Sequence, residues 1–234
     1  MAKRPEIILS PRDLHFIWIV DCSGSMLVKG KIQSLNQAII ESLPAMRDVA
    51  DENPWSKVLI RAVKFSDGAQ WHISQPTDVK DFRWVDLEAG GVTDMGKAML
   101  LVADAMKISA MGERALPPVL VLLSDGGATD EYANGLKKLM DEPWGKRAVR
   151  IAIAIGQDAD IDALQKFIGH SELKPLQAND APMLVKSIRW ASTAVLKAAS
   201  QPVSQMAGAT AQGNTNVPIP TAPTGNPSSA TDVW

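Results

Sequence analysis

Three short segments of this chain collect oxygen-bearing side chains. They are Asp21-Cys22-Ser23-Gly24-Ser25, Gly90-Gly91-Val92-Thr93-Asp94-Met95-Gly96 and Ser124-Asp125-Gly126-Gly127. Together they offer hydroxyls and carboxylates, with no cluster of His or Cys beside them. Hard oxygen donors of this kind suit magnesium, which takes near-octahedral oxygen coordination and keeps some of its water. Within the first segment, residues two apart can point to the same side of a tight turn, so one loop can aim several oxygens at one point. Gly24 and Gly91 let backbones come close. Helix N-termini near such loops would place a positive dipole end beside the carboxylates.

The surrounding pattern supplies elements that could hold these loops. His15 to Val20 (HFIWIV) is a short apolar run that stops at the Asp21 cluster, as a strand ending in a turn does. Ile32, Leu35, Ile39, Leu43, Met46 and Val49 recur at helical spacing, which predicts an amphipathic helix over 30–50. Val58 to Phe65 alternates with period two, and Ser66-Asp67-Gly68 leads to a hairpin partner over 70–73. A helix is predicted over 94–109, a buried strand over 119–123 (VLVLL), a helix over 130–141, a strand over 149–155 and a helix over 161–168. Leu173–Leu176 is a candidate last strand, at an edge because of Pro175. A closing helix is predicted over 183–199. Strands alternating with helices favour a mostly parallel sheet covered on both faces. In such sheets ligands sit at the carboxyl ends of strands, which is where the Asp21 and Asp125 segments fall.

Simpler roles exist for several of these residues. Asp21 and Ser25 could cap the helix that follows them, and Asp94 and Asp130 are expected to be caps or supporting groups. Thr129-Asp130 has the form of an ordinary start signal for the helix over 130–141. Cys22 is expected to turn into the core as an inert small hydrophobe. His15, His72 and His170 are scattered and receive no role. The tryptophans read as packing residues, except Trp234 at the end of a polar stretch. Enzymatic readings find little support. A haloacid-dehalogenase-type phosphatase needs a second Asp two residues after the first, and this chain has Ser23 there. Neither a G-x-S-x-G elbow nor a G-x-x-x-x-G-K-[ST] phosphate loop occurs.

The 234 residues carry a net charge of -2 and 46% hydrophobic residues, enough for one well-buried domain and some extra chain. No basic surface advertises nucleic acid. The apolar run near the start is too short for a signal-peptide core, and no run approaches the roughly 18 residues of a membrane span. A single cysteine excludes an intramolecular disulfide framework and fits a reducing compartment, so a cytoplasmic protein is expected. From Gln201 to Trp234 the chain has five prolines and one charged residue, Asp232. Such a segment buries too little apolar surface to offset its ordering entropy. The expected organisation is a folded domain over 1–200 and a disordered tail over 201–234.

The ordered set Asp21, Ser23, Ser25, Thr93 and Asp125 resembles the metal-ion-dependent adhesion site of von Willebrand factor A domains: D-x-S-x-S, a distant Thr and a later Asp. The resemblance covers roughly residues 14–200. It implies a Rossmann-like open, mostly parallel six-stranded sheet with helices on both faces. It also implies a bound Mg2+ (or Mn2+ or Ca2+). Ser23, Ser25 and Thr93 would then bind through their hydroxyls, and Asp21 and Asp125 directly or through water. One position would stay open for an acidic residue of a protein partner. The words GGVTDMGKAM and SDGGATDEY further resemble the TerY-like tellurium-resistance subgroup. That implies a cytoplasmic, non-enzymatic stress-response adaptor with protein kinase or protein phosphatase 2C-type partners. A metal-dependent hydrolase and a metal-independent scaffold remain the alternatives.

Overall fold

The computed structural model describes residues 10–200 and 219–223. Six strands form one sheet in the order β3-β2-β1-β4-β5-β6: β1 (Arg12–Asp21), β2 (Ser56–Ser66), β3 (Gly68–Asp78), β4 (Val119–Ser124), β5 (Val149–Ile155) and β6 (Leu176–Ala178). Every pairing is parallel except the β2–β3 hairpin. β4 and β5 are buried along their whole length, and β1 from Leu14 onward. Strands covered on both faces have no need of polar alternation, which is why they read as continuous apolar runs.

Alternate residues of β1 serve two separate cores. Leu14, Phe16, Trp18 and Val20 pack with α1 (Lys31–Glu52) and with α7 (Ala181–Trp190) on one face. Ile17 and Ile19 pack on the other face with α2 (Met95–Ala105), α4 (Tyr132–Asp141) and α6 (Ile161–Ile168). Two short helices, α3 (Ile108–Met111) and α5 (Pro143–Arg147), close the bottom of this second layer through Met111 and Trp144. The chain leaves β1 in one direction to reach β2 and returns across it to form β4. The β1/β4 junction is therefore the switch point of the sheet, where strand ends splay and open a crevice.

Several boundaries differ from expectation. The helix expected over 30–50 starts at Lys31, after a 3-10 segment Gly24–Gly30 that kinks at Val28 and Lys29. It also runs through Pro44 to Glu52. The last strand lies at Leu176–Ala178 rather than 173–176; it begins only after Pro175, which has no N–H to give the ladder. The closing helix starts at Ala181, with the Asp180 carboxylate accepting from Met183 N. It passes through a π-helical turn, Ala191–Val195, before α8 (Leu196–Ser200). There Ser192 and Thr193 hydroxyls donate to the carbonyls of Ile188 and Arg189. Most of the segment expected to be a disordered tail lies outside the described residues. Within it, Ile219 and Ala222 pack against the first core, and Trp190 Nε1 donates to the Thr221 carbonyl at 3.0 Å.

Candidate metal centre

Asp21 is the last residue of β1 and Ser124 the last of β4, and β1 pairs with β4 up to Val20 and Leu123. Register alone therefore sets the two side by side. The Ser124 hydroxyl donates to Asp21 Oδ2 at 2.6 Å, and Ser23 N donates to Asp21 Oδ1 at 2.8 Å. Asp21 is completely buried. Burial pushes its carboxyl above the usual carboxylate range; the bonds from Ser124 and Ser23 pull it partly back, and Asp125 adds to the upward push.

Ser23 Oγ and Ser25 Oγ lie 3.0 Å apart, and the Ser25 hydroxyl donates to Asp125 Oδ1 at 2.6 Å. Asp125 and Ser23 sit at the buried base, whereas Ser25 is exposed at the mouth. Neither the 3-10 segment after Ser23 nor α1 receives a side-chain cap, so these residues are not spent on helix capping. The Ser23–Ser25 spacing matches a cis edge of an octahedron. Metal–oxygen distances of about 2.0–2.1 Å place neighbouring donors about 2.9 Å apart. Among the described residues, no group of three or more His, Cys, Asp or Glu side chains could hold a metal. A cation here would rely on hydroxyls, completed by two carboxylates. The residues present suit a small hard cation.

Thr93 comes to the same rim on a loop sewn to the Asp21 segment. Gly24 N donates to the Gly91 carbonyl and Gly90 N to the Cys22 carbonyl. Gly91 has φ +82°, and a Cβ there would stand 2.6 Å from Asp67 Oδ2. The approach matters because Asp67 Oδ1 accepts from Val92 N and holds the loop down. Thr93 is buried and exchanges bonds with Thr129: its N–H donates to Thr129 Oγ1 and its carbonyl accepts from Thr129 N. The structure thus brings Asp21, Ser23, Ser25 and Asp125 into one hydrogen-bonded chain and sets Thr93 on the adjoining loop.

Asp94 and Asp130 are a supporting group and a cap, as expected, but Asp130 caps a different helix. Asp130 does not start the helix that follows it; its carboxylate accepts from Gly96 N and Lys97 N and caps α2 instead. Asp94 accepts from Gly68 N and from Lys97 Nζ, tying the β2–β3 turn to the rim. Cys22 is buried in the first core as expected, and burial pushes its thiol up to about 12. Lys31 was not anticipated. Its Nζ stands 2.7 Å from Asp125 Oδ2 with only 7% of the side chain exposed. A signal existed: Lys31 lies four residues before Leu35 on the stripe that packs inward, where a solvated lysine does not belong. Around the mouth, Leu27, Val28 and Val92 are about half exposed.

No protein-family model matches the sequence, and no curated protein matches it. Solved structures do. The ArnB paralog VWA2 of Sulfolobus acidocaldarius aligns with TM-score 0.56 and 22% identity over 77% of this chain and 45% of its own. A von Willebrand factor type A protein of Catenulispora acidiphila aligns at 0.55 and 16%, over 78% and 42%. Proximal thread matrix protein 1 of the mussel byssus, in a form with a zinc-occupied MIDAS motif, aligns at 0.59 and 18%, over 80% and 48%. The chain spans less than half the length of each. With the six-stranded order and the helices on both faces, these likenesses give the chain the α/β fold of von Willebrand factor A proteins.

Proposed function

We propose that this chain is a divalent-cation-dependent protein-binding domain that catalyses no reaction. The observation that carries the reading is the convergence of Asp21, Ser23, Ser25 and Asp125 at the β1/β4 switch point, with two hydroxyls at octahedral-edge spacing. The mussel protein with a zinc-occupied MIDAS motif supports the same reading. Ser23, Ser25 and Thr93 would hold the ion through hydroxyls, and Asp21 and Asp125 directly or through water. A bound Mg2+ or Mn2+ supplies Lewis acidity at an open position that favours an anionic oxygen, the carboxylate of an Asp or Glu from a partner.

The chain's own residues shape the rest. Exposed Leu27, Val28 and Val92 offer apolar area beside Ser25 and Thr93, where water can be excluded around an incoming carboxylate. The described residues include no helix long and apolar enough to cross a membrane. A cytoplasmic tellurite or stress-response role with kinase or phosphatase 2C-type partners is a narrower reading. It rests on the words GGVTDMGKAM and SDGGATDEY and on the single cysteine.

One observation favours a metal-independent scaffold: the Lys31–Asp125 ion pair already gives the site a cation. Calorimetric titration of Mg2+ or Mn2+ into wild type and Asp21→Ala decides between the two. Saturable binding lost in the variant is expected, and indistinguishable titrations would overturn the metal reading. A partner captured in magnesium should elute with chelator while the domain stays folded.

A further inference from the structure

A lysine is an unusual neighbour for a cation site, and Lys31 is held there against two penalties. It is the first residue of α1, where the positive end of the helix dipole disfavours another positive charge. Its ammonium is also withdrawn from water, which is costly unless paired. The pairing group is Asp125, whose side chain is fully buried. Asp125 Oδ1 takes the Ser25 hydroxyl and Oδ2 takes Lys31 Nζ. The stem has a defined approach, because Lys29 (φ +51°) and Gly30 (φ +72°) turn the chain sharply just before α1.

We infer that Lys31 is a resident cation that competes with the divalent ion for Asp125 and keeps the site's hold on that ion weak and reversible. The inference rests on the metal reading above. Charge counting gives its direction. Asp21 and Asp125 alone would offer two negative charges to an incoming dication; with Lys31 the three residues offer one. A unit positive charge sharing a carboxylate with a dication weakens its binding about tenfold even at the dielectric of water, and more in a partly buried crevice. Lys31 also has a benefit when no divalent ion is bound. It neutralises Asp125 beside the buried Asp21, so two carboxylates do not face each other unpaired at the end of the central strands. The domain is thereby folded with or without the metal, and metal occupancy follows the ambient concentration. The charge Lys31 leaves on the loaded site also strengthens its pull on an anionic partner. Recruitment is thus conditional on divalent-cation supply, and Lys31 sets the threshold.

The test uses the full chain and Mn2+ as the probe, with free Mn2+ counted by electron paramagnetic resonance. Lys31→Met keeps the length and apolar stem of the side chain and removes the charge; Lys31→Arg keeps the charge. Lys31→Met should bind Mn2+ about tenfold tighter than wild type, and Lys31→Arg within about threefold of wild type. In chelator, Lys31→Met should melt below wild type, and saturating Mn2+ should close that gap. Should Lys31→Met not fold in chelator, Lys31→Gln, which can still donate to Asp125, carries the same comparison. Mn2+ bound by wild type but no more tightly by the uncharged variants overturns the role of Lys31 alone. Mn2+ bound by neither wild type nor variants overturns the metal reading, and this inference with it.

Discussion

Gly135→Ala is the substitution that most directly links packing to the site. Gly135 lies in α4 against Gly96 in the first turn of α2, and a Cβ at 135 would stand 2.2 Å from the Gly96 carbonyl oxygen. That is about 1.2 Å short of the 3.4 Å of ordinary contact, and the obstacle is backbone, which cannot swing aside. The approach at Gly96 is also tight, since a Cβ there would meet Glu131 backbone at 2.8 Å. The two helices must separate. Overpacking of this kind costs about 3 kcal/mol, and the better helix propensity of alanine returns about 1 kcal/mol. The net loss is about 2 kcal/mol, or about 4–8 °C in Tm for a domain of this size. The loop from β4 into α4 carries Thr129, which bonds Thr93, and Asp130, which caps α2. A displaced α4 should therefore also loosen Thr93 and weaken Mn2+ binding by about tenfold, as losses of supporting bonds at metal sites do. Thermal melts followed by circular dichroism, with Mn2+ titrations on the same preparations, measure both effects. Asn134→Ala, one residue away on the exposed side, is the control and should be near neutral. A Gly135→Ala protein that melts within a degree of wild type would refute the close-packing account. One that melts low but binds Mn2+ unchanged would refute the link to Thr93.

Three further outcomes are expected. Mg2+ at about a hundredfold excess over its Kd should add about 2.7 kcal/mol of stability to wild type, a rise of about 5–10 °C in Tm, and none to Asp21→Ala. His15 is buried beside Arg61; burial first, then the Arg61 charge, hold its imidazole down to about 4, against a small opposing pull from Asp13. The unfolded chain takes up that proton first, so the contribution of His15 is fully present above about pH 6.5 and is lost as pH falls toward 4, about 3 kcal/mol in all. His15→Leu should accordingly show a smaller drop in Tm between pH 7 and pH 4.5 than wild type. Truncation after Ser200 removes Ile219 and Ala222 from the first core and the Thr221 carbonyl from Trp190. It should lower Tm by a few degrees and leave Mn2+ binding intact.

The central strands were legible because buried parallel strands write themselves as uninterrupted apolar runs, and VLVLL and VRIAIAI sit where those runs do; their order in the sheet came only from the structure. The donor loops were legible because polar clusters cut those runs off abruptly. What escaped depends on contacts between segments distant in sequence. Thr129-Asp130 has the form of a start signal for α4, yet its carboxylate serves the N-terminus of α2, because the Gly96–Gly135 contact brings that helix closer. Ser124 appeared only as part of a loop, and its bond to Asp21 exists through strand register. Lys31 escaped although it lies on the inward stripe four residues before Leu35, because its partner Asp125 is far off in sequence and only the sharp turn at Lys29 and Gly30 aims it there.

The site draws its oxygens from chain segments as far apart as Ser25 and Asp125, which are separated by 100 positions. Those segments meet only when β1 and β4 are already paired and α2 is seated on their rim. A cation thus has little to bind while the chain is still searching, unlike an ion held by one short loop, and it cannot nucleate the fold. The stabilisation a bound ion would supply should then enter after the folding barrier has been crossed, leaving the folding rate nearly unchanged and slowing unfolding. On the metal reading, a loaded domain would differ from an empty one chiefly in its lifetime, and withdrawal of the ion would shorten that lifetime without altering how the next chain folds.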